Sequence, residues 1–358
     1  MRVIALLLLM CCGKPQRPPA CGDAALLAAP ADLGARGPWT VGARTVVLDN
    51  LTLEVWYPAS GKPPAEAVRY DLRTVMPPAE AAKIPDAENA WLACDCYRDL
   101  PVDERHGPYP IVFFLHGAAS FRAQSAFLAT HWASRGFVVV APDLPGVGLR
   151  AILGGEPTAY PLLVPNVVLD AIAKPRTVDP FAFMRAQMGA RVAVVGHSLG
   201  AMLASTTEGR ADVDVRIALA GFTTASSGSV LSLAGATDQI AKPNGDSNRL
   251  ATAKAPSRSG IVRGAGHLAF TDLCTVGADR GGSLAIARAH GVIVPDMIAT
   301  LAMDGCRPTD APFAKTAPTI RAITTGVLEE TLRCDATKAA SIRALGASGA
   351  LDLVEKID

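Results

Sequence analysis

The chain has 358 residues, of which 50% are hydrophobic and only 5% aromatic, and its 34 Lys and Arg balance 33 Asp and Glu. That apolar content supports a large core and excludes a disordered chain. The balanced charge lacks the basic excess of nucleic-acid-binding proteins, so we expect no nucleic-acid partner.

The first twenty residues predict an export signal and a tether. Arg2 precedes an apolar run over residues 3–10, which has the length of a signal-peptide core and is too short to span a bilayer. Cys11 and Cys12 follow, as in a bacterial lipoprotein signal, although Met10 stands where such signals prefer a small residue. We expect an exported protein that is periplasmic, bound to the cell surface or secreted. A lipid anchor on Cys11 or Cys12 and a buried N-terminal strand both remain open.

The predicted elements begin with an antiparallel hairpin over residues 45–57, turning at Asp49-Asn50. Residues 58–108 are rich in Pro and Ala and predict a long, partly irregular excursion with a short helix at 76–82. Continuous apolar runs then predict buried strands at 110–115, 137–141, 191–195, 215–220, 230–233 and 260–262. Segments with helical spacing lie between them at 125–135, 166–173, 181–188 and 201–208.

This alternation predicts an α/β fold with a mostly parallel, doubly wound sheet flanked by helices. From residue 284 the pattern becomes helical, at 284–290, 296–303, 317–333 and 336–345. We interpret residues 284–358 as a helical C-terminal extension that packs on the sheet. No repeat or linker divides the chain, so we expect a single domain over residues 40–358.

Cysteine spacing argues against a structural metal site. Cys94 and Cys96 form C-x-C, and no second pair stands at zinc-finger spacing. An even number of cysteines in an oxidising compartment favours disulfides, and Cys274 with Cys306 is the pairing we expect first. The six cysteines beyond the signal are Cys21, Cys94, Cys96, Cys274, Cys306 and Cys334.

The sequence Gly196-His197-Ser198-Leu199-Gly200 fits the pattern G-x-S-x-G. The bare pattern is weak, but here it lies between an apolar strand and a helix, where a nucleophile elbow belongs. Glycines two residues before and after let the strand and helix approach, and the helix start directs N–H groups at developing negative charge. We predict Ser198 as a nucleophile; the alternative is an ordinary serine in a Gly-rich turn.

A serine nucleophile needs a base, and the base needs an orienting acid. Asp238 and His267 each follow a predicted strand, and the order Ser198, Asp238, His267 is that of this architecture. We therefore predict Asp238 as the acid and His267 as the base. The competing residues are Asp212, Asp214 and Asp272 for the acid and His290 for the base, and Asp272 is expected to brace the segment after His267.

Two backbone N–H groups should form an oxyanion hole. We assign one to Leu199 and the other to Ala118, after the strand that ends at Leu115; His116 is expected to bond the loop backbone. Ala119, His197 and Leu149 are expected to border the substrate cleft. The apolar residues of the stretch 145–165 either form an acyl site or pack the loop.

These motifs together resemble the α/β-hydrolases, and within them the bacterial platelet-activating-factor acetylhydrolase-like and predicted dienelactone hydrolase-like esterases. Dienelactone hydrolases use a Cys nucleophile, from which Ser198 departs. The chain is also distantly similar to cutinases and PET hydrolases, but Ala118 and His197 stand where these often have aromatic residues. The resembling stretches are residues 53–59, 113–122, 136–145, 196–200, 234–238 and 264–274.

The resemblance implies a serine carboxylesterase with a Ser198–His267–Asp238 triad, acting on short-acyl esters without a metal or other cofactor. Polyester or phospholipid-acetyl hydrolysis is an alternative, as is an acyltransferase. An alternative from another class is a non-catalytic surface lipoprotein on a hydrolase scaffold. We expect a monomer whose partner is a small-molecule or polymeric ester.

Overall fold

A computed structural model describes residues 26–156, 158–222, 228–243, 250 and 253–357. The predicted export signal, its tether and Cys11, Cys12 and Cys21 lie outside the described residues. Every helix in the described part is too short or too polar to cross a membrane.

A sheet of ten strands forms the centre of the described chain, and β3 and β4 form a separate two-stranded antiparallel sheet. The strands are β1 (Thr40–Leu48), β2 (Leu51–Ala59), β3 (Arg69–Asp71), β4 (Trp91–Ala93), β5 (Tyr97–Arg98), β6 (Tyr109–Leu115), β7 (Val138–Pro142), β8 (Met188–His197), β9 (Val215–Leu219), β10 (Ser229–Gly235), β11 (Ser257–Val262) and β12 (Leu351–Lys356). Their order in the sheet is β12-β11-β10-β9-β8-β6-β7-β2-β1-β5. Strands β6 to β11 are parallel, which confirms the predicted sheet, whereas the β1–β2 hairpin and β12 add antiparallel edges.

The α-helices are α1 (Pro78–Ala81), α2 (Ala126–Ser134), α3 (Leu149–Leu153), α4 (Val164–Ala173), α5 (Leu199–Ser205), α6 (Ser283–Ala289), α7 (Asp296–Leu301), α8 (Phe313–Leu332) and α9 (Lys338–Ala347). Short 3-10 turns occupy Leu72–Val75, Asp86–Glu88, Arg185–Gln187, His267–Phe270, Leu273–Thr275 and Ala278–Arg280.

The core lies on both faces of the sheet. On one face α2 and α8 bury apolar side chains such as Leu128 and Ile320. On the other face α4 and α5 do the same with Val168 and Leu203. Strands covered on both faces are mostly apolar, which is why the continuous apolar runs located them.

Three details differ from the sequence prediction. Residues 181–188 do not form a helix: Arg185 bonds back to Asp179 and to the carbonyl of Ile172, and β8 already starts at Met188. The C-terminal region is helical as predicted but ends in β12, which pairs with β11. The fold also begins before residue 40, because Trp39 is buried in the core.

A buried ion pair joins α2 to α8. Arg135 Nε lies 2.9 Å from Glu329 Oε1, and both side chains are almost fully buried. Arg135 also donates to the carbonyls of Asp32 and Ala35, so it fixes the N-terminal segment as well. A charge buried in this way is costly once its partner is lost.

We predict that Glu329→Gln lowers the free energy of unfolding by about 3 kcal/mol, because it leaves the Arg135 charge buried without its counter-charge. The matched control is Asp352→Asn, which breaks the exposed Arg263–Asp352 pair and should cost less than about 1 kcal/mol. Urea unfolding of both variants measures the difference. Equal losses of unfolding free energy in the two variants would show that the buried pair stabilises the fold no more than the exposed pair does.

Candidate active site

The turn after β8 holds Ser198 in a strained backbone conformation, with φ 53° and ψ −117°. The flanking glycines permit it, because a Cβ at Gly196 would lie 2.1 Å from the Gly200 carbonyl oxygen. A Cβ at Gly200 would likewise lie 2.1 Å from the Leu115 carbonyl oxygen at the end of β6. The two glycines therefore have the steric role that the pattern predicts.

The structure brings the three predicted residues into one hydrogen-bonded chain. Ser198 Oγ lies 2.9 Å from His267 Nε2, and His267 Nδ1 lies 2.9 Å from Asp238 Oδ2. His267 and Asp238 are each 1% exposed, while Ser198 is half-buried. The serine thus faces outward from a base and an acid that are shielded from water.

Asp238 is held in its charged form. Burial by itself would raise the pKa of Asp238, but the hydrogen bond with His267 and the N–H groups of Ala241 and Ile240 outweigh it and lower that pKa. Those two N–H groups donate to Oδ1 at 2.7 and 2.8 Å. Oδ2 is left for the imidazole, whose Nδ1–H it orients.

Asp304 joins the loop of the acid to the loop of the base. Its buried carboxylate accepts the His267 N–H through Oδ1 at 3.0 Å and the Gln239 N–H through Oδ2 at 2.9 Å. Its carbonyl accepts the Leu268 N–H at 2.7 Å. Nothing in the sequence pointed to this residue, because it lies 37 positions after His267, behind a helical stretch.

The loop after β6 lies next to the serine, and two of its N–H groups are already bonded. The Gly117 N–H donates to Gln124 Oε1 at 3.1 Å, and the Ala119 N–H donates to the Val147 carbonyl at 2.8 Å. The Ala118 N–H between them has no hydrogen-bond partner among the described residues. Gly117 is close to the serine, since a Cβ on it would lie 3.3 Å from Ser198 Cβ.

Two buried histidines support these loops. His116 lies with Nδ1 2.7 Å from the Gly117 carbonyl oxygen, and its Nε2 accepts the Leu144 N–H, as expected for a residue that bonds the loop backbone. His197 Nε2 lies 3.1 Å from the His267 carbonyl oxygen. Burial, followed by the nearby His267, lowers the pKa of His197 to about 3, so it stays neutral.

The expectation that His197 borders the substrate cleft is wrong for its side chain. Only 2% of this residue is exposed, so it cannot touch a substrate and instead holds the backbone of His267 in place. Ala119, in the loop after β6, and Leu149, the first residue of α3, are both partly exposed. Leu149 lines an apolar cavity, while Ala119 adopts a left-handed backbone at φ 52°.

The chain matches a family model for the alpha/beta hydrolase family over residues 112–280. It is 31% identical over 98 residues to Phospholipase YtpA of Bacillus subtilis (strain 168), a match that covers 27% of this chain and 33% of that protein. The matched segment thus spans about a third of the curated relative's length. The backbone is similar to that of a ferulic acid esterase from Streptomyces cinnamoneus, with a TM-score of 0.59 and 19% identity over 92% of this chain and 98% of that one.

The chain has the α/β-hydrolase fold, and its residues 112–280 are similar to the alpha/beta hydrolase family. The strand order, the turn after β8 and the positions of Asp238 and His267 after β10 and β11 agree with that family's architecture. At 19% identity the structural likeness shows the fold alone. No cluster of metal-ligating side chains occurs in the described part of this hydrolase.

The residues that compete with Asp238 as the acid and with His267 as the base have other partners or lie elsewhere in this hydrolase. Asp212 pairs with Arg210, and Asp214 pairs with Arg191 at the start of β9. His290 follows the end of α6. Asp272 braces the segment after His267, as predicted: its Oδ2 accepts the N–H of Phe127 in the first turn of α2.

The structure contains the predicted disulfide between Cys274 and Cys306. It also joins Cys94 to Cys96, a pairing that the sequence left open. The Cys274–Cys306 bond links the segment after His267 to the segment after Asp304. The disulfide therefore joins covalently the same two segments that the Asp304 carboxylate joins by hydrogen bonds.

We predict that Asp272 makes the hydrolase less stable as pH rises from about 4 to about 7. Burial raises the pKa of Asp272 from its ordinary value of 3.8 to about 7, against the opposing N–H bonds from α2. In this window the unfolded chain ionises Asp272 while the folded chain keeps it protonated, so unfolding becomes easier. Each unit of pKa difference corresponds to about 1.4 kcal/mol.

The test compares wild type with Asp272→Asn, whose amide oxygen still accepts the Phe127 N–H but cannot ionise. Urea unfolding should show the variant gaining stability relative to wild type between pH 4.5 and pH 8. Asp352→Asn, at an exposed carboxylate, serves as the control and should show no such gain. A difference between Asp272→Asn and wild type that does not change with pH would contradict the prediction.

Proposed function

We propose that the protein is a serine carboxylic-ester hydrolase that acts on short-acyl esters through an acyl-enzyme. The observation that carries the proposal is the hydrogen-bonded chain from Ser198 Oγ through His267 to Asp238, with 2.9 Å at both links. The similarity of residues 112–280 to the alpha/beta hydrolase family supports it. The ferulic acid esterase that shares the fold and the phospholipase that shares part of the sequence both bear names of enzymes that cleave esters.

The first step is attack of Ser198 Oγ on the ester carbonyl carbon. His267 Nε2 takes the hydroxyl proton as the new C–O bond forms, and the charged imidazole is stabilised by the Asp238 carboxylate. Because the pKa of Asp238 is lowered, it remains ionised and does not compete for the proton.

The negative charge that develops on the carbonyl oxygen needs two preorganised donors. We assign these to the N–H groups of Leu199 and Ala118. The Leu199 N–H starts α5 directly after the nucleophile, and the Ala118 N–H lies between two neighbours whose own N–H groups are already bonded. The hydrogen bond from Gly117 to Gln124 holds this loop in place.

Collapse of the intermediate breaks the bond to the alcohol oxygen, which takes the proton from His267 Nε2. Water then enters, gives a proton to the same nitrogen and attacks the acyl-enzyme. A second collapse releases the acid and returns the proton to Ser198. The cycle is balanced without a cofactor.

We further propose that the enzyme is exported and acts outside the cytoplasm. The disulfides Cys94–Cys96 and Cys274–Cys306 support this, because such bonds persist in oxidising compartments. The signal-like apolar run at residues 3–10 points the same way.

Hydrolysis of phospholipid acyl esters is a second candidate, favoured by the name of the phospholipase to which part of the chain is similar. It uses the same residues and the same steps, and differs only in the substrate. Vesicles of phosphatidylcholine, offered beside soluble esters, separate the two: release of fatty acid from vesicles at a higher kcat/KM would favour the lipid substrate.

We predict that Ser198→Ala lowers kcat on p-nitrophenyl acetate and butyrate by about 10⁴-fold or more, because it removes the attacking oxygen. An organophosphate should add one covalent adduct to wild type and none to this variant, as read by intact mass. Ser205→Ala is the matched control, since it removes a hydroxyl at the other end of the same helix. Equal hydrolysis by wild type and Ser198→Ala would contradict the proposal, and inactivity of both on all esters would favour a binding protein.

We predict that Asp304→Asn lowers kcat by about 10²-fold with little change in KM, because the amide cannot accept both the His267 and Gln239 N–H groups. The acid and base loops should shift relative to each other while the substrate cleft stays intact. Steady-state kinetics on p-nitrophenyl butyrate, with the melting temperature recorded in parallel, provide the measurement.

Asp310→Asn is the companion variant, because Asp310 braces the same segment through Thr237 and Gly305 without touching His267. It should lower the melting temperature, but it should lower kcat much less than Asp304→Asn does. If Asp304→Asn keeps the wild-type kcat, Asp304 does not position the base.

A further inference from the structure

An apolar cavity of about 120 Å³ lies outside the described triad, and none of Ser198, Asp238 and His267 lines it. Its walls come from α3, the excursion before β6 and the helices α6 and α7. Representative lining residues are Met76, Ile84, Leu149, Leu153, Ile286 and Ala302.

Polar contacts outside the cavity hold the excursion against the C-terminal region. Lys83 Nζ donates to the Gly291 carbonyl at 2.9 Å, and the Ile293 N–H donates to Glu80 at 2.8 Å. Arg280 donates to the Glu88 carbonyl at 2.8 Å. These contacts join two distant parts of the chain and so build a defined cavity wall.

One wall is joined to the loop that carries Ala118. The Leu149 N–H donates to the Ser120 carbonyl at 2.9 Å, so α3 starts beside that loop. Gly117, three residues before Ser120, is in near contact with Ser198. Three residues of chain span at most roughly 10 Å, which is the upper limit of the distance from Gly117 to Ser120, where this wall begins.

The opposite wall is joined to the base. Ala302, at the end of α7, stands two residues before Asp304, which accepts the N–H groups of His267 and Leu268. The cavity therefore lies between the two segments that position the oxyanion donor and the base.

We propose, resting on the esterase function above, that this cavity binds an apolar chain of the ester substrate. Apolar walls favour an unbranched alkyl group over a charged or sugar-like one, because burying polar groups without partners is costly. An apolar cavity of about 150 Å³ holds a benzene molecule, so this one has room for a short alkyl chain or one small ring. The cavity thus sets an upper limit on the chain that the enzyme prefers.

The deciding experiment compares two substitutions on the same helix. Ala287→Phe fills the cavity, because Ala287 lines it. Ala285→Phe adds the same ring at an exposed position of α6 that does not line it. The readout is the ratio of kcat/KM for p-nitrophenyl hexanoate to that for the acetate, because an acetyl group has only one carbon beyond the carbonyl and cannot extend into the cavity.

We expect Ala287→Phe to lower this ratio about tenfold or more and Ala285→Phe to leave it unchanged. Ala302→Phe fills the same cavity from the end of α7. If Ala287→Phe does not fold, Ala302→Phe tests the proposal in its place, with the same expected fall in the ratio. A parallel series of ethyl and hexyl acetates tells which side of the ester enters: a fall in the acyl series places the acyl group there, and a fall in the alkyl series places the alcohol.

An unchanged ratio in both series, with an active enzyme, would overturn the cavity proposal and leave the esterase function intact. Hydrolysis by Ser198→Ala equal to that by wild type would instead overturn the esterase function itself. The two failures are therefore distinguishable in one set of assays.

Discussion

The site depends on one strained turn. Ser198 sits at φ 53°, a conformation that costs a residue other than glycine roughly 1–3 kcal/mol and persists only where the surroundings enforce it. The enforcement comes from the sheet: β8 lies between β6 and β9, and the backbone of Gly200 packs directly on the last carbonyl of β6. The Ser198 N–H is fixed in turn by the Leu219 carbonyl at the end of β9. The nucleophile is therefore placed by three parallel strands.

The acid and the base are held differently, by a segment from the C-terminal region. Asp304 accepts backbone N–H groups from both of their loops, and the Cys274–Cys306 disulfide fixes the same region covalently. Buried carboxylates with two backbone donors each are well satisfied and geometrically specific. The C-terminal extension thus does more than add to the core: through Asp304 it bonds both the loop of Asp238 and the loop of His267.

Sequence reasoning succeeded where local pattern and strand topology agree. The strands that end shortly before Ser198, Asp238 and His267 have their carboxyl ends at one edge of the sheet because they are parallel, and the structure brings these three residues together. Sequence reasoning failed where contacts between residues far apart in the chain determine the local structure. The helical spacing of residues 181–188 is overridden by bonds from Arg185, and Asp304 carries no local signal of its role. Strand β12 is short and half-exposed, and it directly follows a helical stretch, so its sequence pattern did not stand out as a strand.

Substrate preference is also difficult to predict from local sequence patterns. The sheet and the elbow are specified by strong local patterns, whereas the cavity is built from the weakly patterned excursion and the helices α6 and α7. Neither part has a complete apolar core of its own: Met76 and Ile84 of the excursion are buried in the same cluster as Ile286 of α6. Since the two parts pack against each other, a change in either alters the cavity. Chains that keep this sheet and this turn can therefore differ in the esters they accept, and fold alone does not determine the substrate.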